Sequence, residues 1–139
     1  MRRFPGELAR IIPMLLVMGL IFVLSSVPGD QLTLPDISNI DKVAHLAIYG
    51  LLAFTVFYAF GPRFYRMHPR LLPLAVIFIC TVYGVSDELH QYFVPNRSAD
   101  IFDVLADSAG AVIVSGLWIG FAHLLKKNGK ACKGTSSCL

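Results

Sequence analysis

Four long runs of apolar residues, separated by short polar segments, dominate the amino-acid sequence. An α-helix rises about 1.5 Å per residue, so about 20 mostly apolar residues cross a hydrocarbon core about 30 Å thick. Proline or glycine marks the boundaries between runs, as at Pro28, Gly61 and Pro95. The pattern predicts an all-α protein, a polytopic bundle of four transmembrane helices. The predicted helices cover residues 11–27, 43–60, 71–90 and 101–125.

Composition strengthens this prediction. The chain is 55% hydrophobic and only 15% charged, with a mean hydropathy of +0.64, which is too apolar for an ordinary soluble domain. The four runs fill most of the sequence, so we expect a single transmembrane domain over residues 1–125. Residues 126–139, rich in lysine, glycine and serine, are predicted to form a disordered, basic cytoplasmic tail.

The first apolar run has a second interpretation. Arginines precede it and the small residues Ser25 and Ser26 end it, which is also the arrangement of a secretory signal peptide. Pro28 is a poor residue after a cleavage point, and the segments that follow are again largely apolar. We therefore expect an uncleaved first helix.

The charged residues separate into two groups when the predicted helices are placed across a membrane. Ten of the twelve lysines and arginines fall at the two termini and in the segment 61–70, whereas eight of the nine acids fall on the opposite side. The positive-inside rule places both termini and this segment in the cytoplasm. The net charge of +3 is explained by this topology, so no nucleic acid partner is expected.

Ionisable residues on three helices lie at one predicted depth. His45, Glu88 and Asp107 are 18, 18 and 19 positions from the basic residues at 63, 70 and 126. At about 1.5 Å per residue, all three lie roughly 27 to 29 Å from the cytoplasmic boundary. This depth corresponds to the outer edge of the hydrocarbon core.

Helical spacing also aligns polar residues sideways. Residues at i, i+3, i+4, i+7 or i+8 share a helix face, and polar residues form three such stripes. Gly110 continues the third stripe, where a small residue would allow two helices to approach closely. The stripes are Asp41, His45 and Tyr49; Asp87 and Gln91; and Asp100, Asp103 and Asp107. Intramembrane acids usually face a bundle interior or a wet cavity, so we expect a shared pocket that opens outward. The alternative is that these residues only solubilise helix ends.

The residue types in the predicted pocket suit proton transfer and polar recognition. Clustered carboxylates repel one another unless some are protonated, paired or neutralised by a cation, and histidine changes charge near neutral pH. Candidate catalytic residues are His45, Asp87, Glu88 and Asp103. Candidate ligand-binding residues are Asp41, Lys42, Tyr49, Gln91, Arg97 and Asp107. Whether the protein is an enzyme is left open, and so is the question of a cofactor.

Several alternatives stay open within this pocket. The carboxylates and His45 could bind a metal ion, although no compact ligand motif is present and ion pairs with Lys42 or Arg97 explain the same residues. The guanidinium of Arg97 could hold a carboxylate or phosphate of a ligand, or pair with Asp100 or Asp103. His90 and His123 are expected to be packing or interfacial residues.

Four separated motifs resemble the VanZ-like family of bacterial membrane proteins, over approximately residues 25–116. They are Ser25-Ser26-Val27-Pro28; Asp41-Lys42-Val43-Ala44-His45 with Tyr49; Asp87-Glu88-Leu89-His90-Gln91 through Pro95-Asn96-Arg97; and Asp103-Val104-Leu105-Ala106-Asp107 with Gly110. The resemblance implies a four-helix protein of the bacterial inner membrane, whose namesake is associated with resistance to the glycopeptide teicoplanin. The chain departs from the family pattern at Asn96, where glycine is expected, and at Asp107, where asparagine is expected.

These observations favour a pocket level with the outer headgroups that binds an amphiphilic ligand of the cell envelope, either a lipid-linked precursor or a glycopeptide antibiotic. Membrane lipids are the surrounding partners. A proton- or cation-coupled permease is the first alternative, but the inner halves of the predicted helices offer few polar groups for a transport path. A non-catalytic membrane partner of envelope enzymes is the second.

Overall fold

The helices follow the apolar runs closely. The computed structural model describes residues 9–31 and 40–134, with side chains for all of these except 62, 63 and 125–134. Its elements are α1 (Ile11–Ser25), a 3₁₀ turn (Gly29–Gln31), α2 (Ile40–Met67), α3 (Leu71–Gln91) and α4 (Ile101–Gly134). Residues 9–31 and 40–134 contain no β-strand, so the all-α prediction is confirmed.

The first helix ends two residues earlier than predicted. Ser26 follows as the C-cap residue, and its backbone N–H and its hydroxyl both donate hydrogen bonds to the Phe22 carbonyl, at 3.1 and 2.7 Å. Val27 precedes a proline, and the proline ring disfavours helical geometry in the residue before it. The helix therefore ends at Ser25, and the polar turn begins before Pro28.

The second helix continues through the segment that was predicted to be a loop. Gly61 has φ 71° and ψ 166°, which breaks the helix at the predicted position and which glycine adopts without a steric penalty. Pro62 follows, and proline is favoured in the first turn of a helix because its φ is fixed and its missing N–H is not needed there. The chain therefore resumes helical geometry as far as Met67, and only residues 68–70 connect α2 to α3.

The fourth helix extends beyond its apolar run. The backbone stays helical to Gly134, although the sequence favoured disorder from Lys126 onward. Lysine and alanine are good helix formers, so the helix can continue into water after the apolar stretch ends. Residues 135–139 lie outside the described part of the chain, and the division into one domain and a tail stays a prediction.

The helices pack most extensively where α2 meets α4. A Cβ atom on Gly110 would overlap the carbonyl oxygen of Leu46, so only glycine allows the two backbones to approach this closely. Below this contact, Leu52, Val56 and Phe57 of α2 are fully buried. The ring of Phe57 stacks on that of Trp118 with centroids 4.8 Å apart.

The outer surface of the bundle is apolar. Phe78 and Leu117, for example, are each 69% exposed, and contiguous exposed apolar surface of this kind marks a membrane or protein contact. Within residues 9–31 and 40–134, three segments are long and apolar enough to cross a membrane, and α1 is a shorter apolar helix. The three segments are Ile40–Gly61, Leu71–Gln91 and Ile101–Leu124.

Candidate functional site

Polar side chains collect at one end of the bundle, here called the polar end, where α1 and α3 finish and α2 and α4 begin. The opposite end, called the basic end, carries Arg66 and Arg70. Two connected groups of residues occupy the polar end. One surrounds Lys42, and the other surrounds His45 one turn deeper in the bundle.

Lys42 joins the beginnings of α2 and α4. Its Nζ lies 2.8 Å from Asp100, 3.0 Å from Asp103 and 3.2 Å from Asp41. The hydrogen bond from Lys42 holds the pKa of Asp100 below its ordinary value. Asp100 also accepts the backbone N–H of Phe102 at 2.9 Å, as an N-cap residue does. The stripe of aspartates on α4 is therefore partly neutralised by one lysine.

Asp107 and His45 form the deepest polar contact of the site. Oδ1 of Asp107 lies 3.0 Å from Nδ1 of His45, and Asp107 is fully buried. Gly84 of α3 makes room for it, because a Cβ there would lie 2.6 Å from Oδ2 of Asp107. Sequence reasoning missed Gly84. The signal that could have found it was a glycine one turn before Asp87, because glycine inside a helix lowers the stability of that helix.

A chain of hydrogen bonds connects the end of α3 to the end of α1. The side-chain nitrogen of Gln91 donates to Asp87 at 3.1 Å and reaches Ser25 at 3.5 Å. Gln91 also accepts a hydrogen bond from Nη1 of Arg97 at 2.9 Å. Both Asp87 and Gln91 are buried, so their orientation is fixed by these contacts.

Arg97 binds the end of α1 and does not pair with the aspartates of α4. Its Nε and Nη2 donate to the carbonyl oxygens of Val27 and Leu24, at 3.2 and 3.1 Å, where a cation also complements the helix dipole. The alternative in which Arg97 pairs with Asp100 or Asp103 is therefore wrong, because Lys42 is closer and takes both. Asn96 adopts φ 57°, the left-handed geometry that asparagine tolerates in place of glycine.

A cavity of about 210 Å³ lies between α1, α2 and α3 at this level. Its apolar lining residues are Ile21, Leu24, Ala44 and Ile48. Its polar lining residues are Ser25, Asp41, His45, Tyr49, Asp87, Gln91 and Arg97. The hydroxyl of Tyr49 is buried here and has no hydrogen-bond partner among residues 9–31 and 40–134.

The structure brings most of the predicted site residues together, but in two groups. His45, Asp87 and Glu88 each offer a ligand atom within 4.8 Å of the other two. Lys42 and Asp103 belong to the neighbouring ion-pair group instead of the cavity lining. Glu88 links the groups, since its Oε2 accepts the backbone N–H of Asp100 at 2.8 Å. The catalytic and binding roles of these residues stay predictions.

His90 packs as the sequence predicted. Its ring stacks on Phe22 of α1 with centroids 4.7 Å apart, and its Nε2 lies 3.0 Å from the hydroxyl oxygen of Ser26. His90 is not among the residues that line the cavity, so we assign it to the contact between α1 and α3.

A wider cavity, of about 1190 Å³, lies between α3 and α4 toward the basic end. Arg66, Arg70 and His123 are among its lining residues, and most of the others are apolar. Ser115 contributes one buried hydroxyl without a partner in the described residues. The clustered carboxylates of the polar end have no counterpart in this lining.

Comparison with protein families gives a match over most of the chain. The family model described as VanZ/LLP1 matches residues 10–125. No curated protein and no solved structure matches the chain.

Proposed function

Because the chain belongs to the VanZ/LLP1 family, we propose that it is a four-pass protein of the bacterial cytoplasmic membrane, with both termini in the cytoplasm and the polar end outward. Its cavity binds an amphiphilic ligand of the cell envelope, either a lipid-linked precursor or a lipidated glycopeptide such as teicoplanin. It is a VanZ-like membrane protein, and the topology and the ligand are the parts that we propose.

The topology is supported by helix lengths and by charge. α2, α3 and α4 each contain a segment long enough to span the hydrocarbon. α1 has 15 residues, about 22 Å at 1.5 Å per residue, and a short helix is accommodated by local thinning of the bilayer. Lysines and arginines concentrate at the basic end and its flanking termini, as cytoplasmic segments do.

The observation that carries the proposed function is the mixed apolar and polar lining of the cavity at the polar end. Its apolar side chains suit an acyl or prenyl chain, and Tyr49 and Arg97 offer polar groups to a headgroup. Ligand sites are typically apolar clefts with a few convergent polar groups. His45 could also serve as a general base toward a bound ligand, with Asp107 orienting its ring.

The two alternatives differ in what they require of the bundle. A permease needs polar groups along the whole crossing, but the buried residues toward the basic end include Leu52, Val56, Phe57, Leu72 and Val76. A non-catalytic partner of envelope enzymes needs no ligand in the cavity. Retained folding without ligand binding would favour that second alternative.

Cysteine labelling in intact cells tests the topology. In a background lacking the native cysteines, Asp30→Cys is expected to react with a membrane-impermeant maleimide from outside, and Arg66→Cys only after permeabilisation. The reverse pattern would turn the cavity toward the cytoplasm and contradict the proposal.

Ligand binding is tested with the full chain in lipid nanodiscs. Tyr49→Phe removes a hydroxyl that has no partner in the described residues, so it should leave thermal stability unchanged while weakening binding of teicoplanin or a lipid-linked precursor about 2- to 10-fold. Tyr58→Phe, at a half-exposed tyrosine on the same helix, is the matched control. A glycopeptide without an acyl chain should bind more weakly than teicoplanin. Equal binding by Tyr49→Phe and Tyr58→Phe would place any ligand outside the cavity.

A further inference from the structure

Three buried carboxylates at the polar end have no lysine or arginine partner among the described side chains. Asp87, Glu88 and Asp107 are at most 5% exposed. Lys42 is bonded to three other aspartates, and Arg97 to Gln91 and backbone carbonyls. Among the described side chains, the only ionisable base paired with any of the three is His45, with Asp107. Burying a negative charge without a nearby positive charge costs free energy, so this arrangement favours the binding of a cation.

Two carboxylate oxygens in this group have unused bonding capacity. Oε1 of Glu88 and Oδ2 of Asp107 are buried and have no hydrogen-bond partner within the part of the chain that the structure describes. Buried polar atoms are nearly always paired, so each exception suggests an ion or water that satisfies it. The unpaired oxygen of Glu88 belongs to a residue whose ligand atom lies within 4.8 Å of those of His45 and Asp87.

The hydrogen bond of His45 also fits a metal ligand. Its Nδ1 faces Oδ1 of Asp107 at 3.0 Å, which leaves Nε2 available on the other side of the ring. Metal-binding histidines commonly donate their second N–H to a carboxylate, which fixes the ring and raises the basicity of the ligating nitrogen. Asp107, where the family resemblance led us to expect asparagine, would be that orienting carboxylate.

We propose that His45, Asp87 and Glu88 bind one divalent transition-metal cation, Zn²⁺ or Mn²⁺, with Asp107 as a positioning residue. One imidazole with two carboxylates suits these ions, whereas Mg²⁺ and Ca²⁺ prefer ligand sets made only of oxygen. The cation offsets two negative charges of the buried group.

The cation would also explain how an acidic pocket accepts an anionic headgroup. Three protein ligands leave coordination positions open, and a phosphate of a lipid-linked ligand could occupy one of them. This step rests on the proposed function. The binding of the cation does not, because it depends only on the protein's own side chains.

The test measures metal binding directly. The full chain, purified in detergent through a tag without histidine, is stripped with a chelator and dialysed against Zn²⁺, Mn²⁺ or Mg²⁺. We expect one Zn²⁺ or Mn²⁺ per chain, retained in excess Mg²⁺. His45→Ala and Glu88→Gln should abolish stoichiometric binding, and Asp107→Asn should weaken it about 10- to 100-fold. Asp30→Asn, at an exposed acid outside the group, is the matched control and should bind like the parent.

Thermal unfolding separates loss of the site from loss of the fold. Added Zn²⁺ or Mn²⁺ should raise the Tm of the parent and of Asp30→Asn, but not that of His45→Ala. Failure of the parent to bind either ion, or equal binding by the parent and His45→Ala, would overturn the inference. Metal binding without any lipid or glycopeptide binding would uphold the inference and contradict the proposed function, and ligand binding without metal would do the reverse.

Discussion

The polar end and the half of the bundle toward the basic end are built from the same helices but by different interactions. At the polar end, α2, α3 and α4 are joined by polar side chains such as Lys42, His45 and Glu88. Toward the basic end, the same helices are held by buried apolar residues such as Leu52 and Val76, and the wide cavity between α3 and α4 is lined mainly by apolar and basic residues. One half is joined by ionisable groups beside a small cavity, and the other by apolar contacts.

This difference assigns stability and function to different regions. In a membrane, lipid tails are as apolar as leucine, so helices associate mainly through close van der Waals packing and interhelical hydrogen bonds. The apolar contacts toward the basic end supply the van der Waals part of that association. The buried charges of the polar end add cost as well as contacts, so we attribute their presence to ligand or ion binding. The predictions below test that division.

The largest effect is expected at the contact between α2 and α4. Gly110→Leu places a branched side chain where the Leu46 carbonyl lies, so the helices must separate, at a cost above about 3 kcal/mol, the usual upper end for overpacking. Unfolding in mixed micelles measures this. Gly120→Leu is the control, since nothing lies within 4 Å of a Cβ there. Equal stability of the two variants would mean that the close contact is absent in the membrane.

A smaller effect is expected in the apolar half. Leu52→Ala leaves a cavity beside Val56 and should lower the free energy of unfolding by about 2 kcal/mol, the low end for leucine in a core, because lipid replaces water as the reference. The neighbouring Leu51 is 48% exposed, so Leu51→Ala should change stability little. The same unfolding assay compares the two variants. A larger loss from Leu51→Ala would contradict the assigned packing face.

The smallest effect concerns pH at the polar end. The pKa of Asp100 is lowered by Lys42 in the folded state, so this carboxylate stabilises the fold above its unfolded pKa, near 3.8, and the contribution is lost as pH falls through the folded value. Tm should therefore fall as pH drops below about 4, and less steeply in Asp100→Asn than in Asp30→Asn. An identical dependence of Tm on pH in the two variants would show that the ion pair between Lys42 and Asp100 does not contribute to folding stability.

The sequence predicted the helices well and brought the polar groups of three helices to one end of the bundle, because apolar periodicity and helical rise are local properties. It also predicted close packing at Gly110, which the structure confirms. The sequence could not predict in the same way which cation pairs with which carboxylate. Lys42 and Arg97 are both near the aspartates in the sequence pattern, and only the three-dimensional approach of α1 to Arg97 decides which cation pairs with α4. The mixed lining of the cavity likewise depends on how α1 packs against α2 and α3.

The most direct test of the central claim separates binding from stability at Asp87. Asp87→Asn preserves shape and can still accept the hydrogen bond from Gln91, but it removes a charge from the cavity wall. The measurement is ligand affinity and Tm on one nanodisc preparation, beside Leu52→Ala. We predict that Asp87→Asn binds teicoplanin or a lipid-linked precursor at least about tenfold more weakly, at an unchanged or higher Tm. Leu52→Ala should instead lower the Tm. If Asp87→Asn instead loses Tm and keeps its affinity, the polar end is a structural charge network and the proposed pocket is wrong.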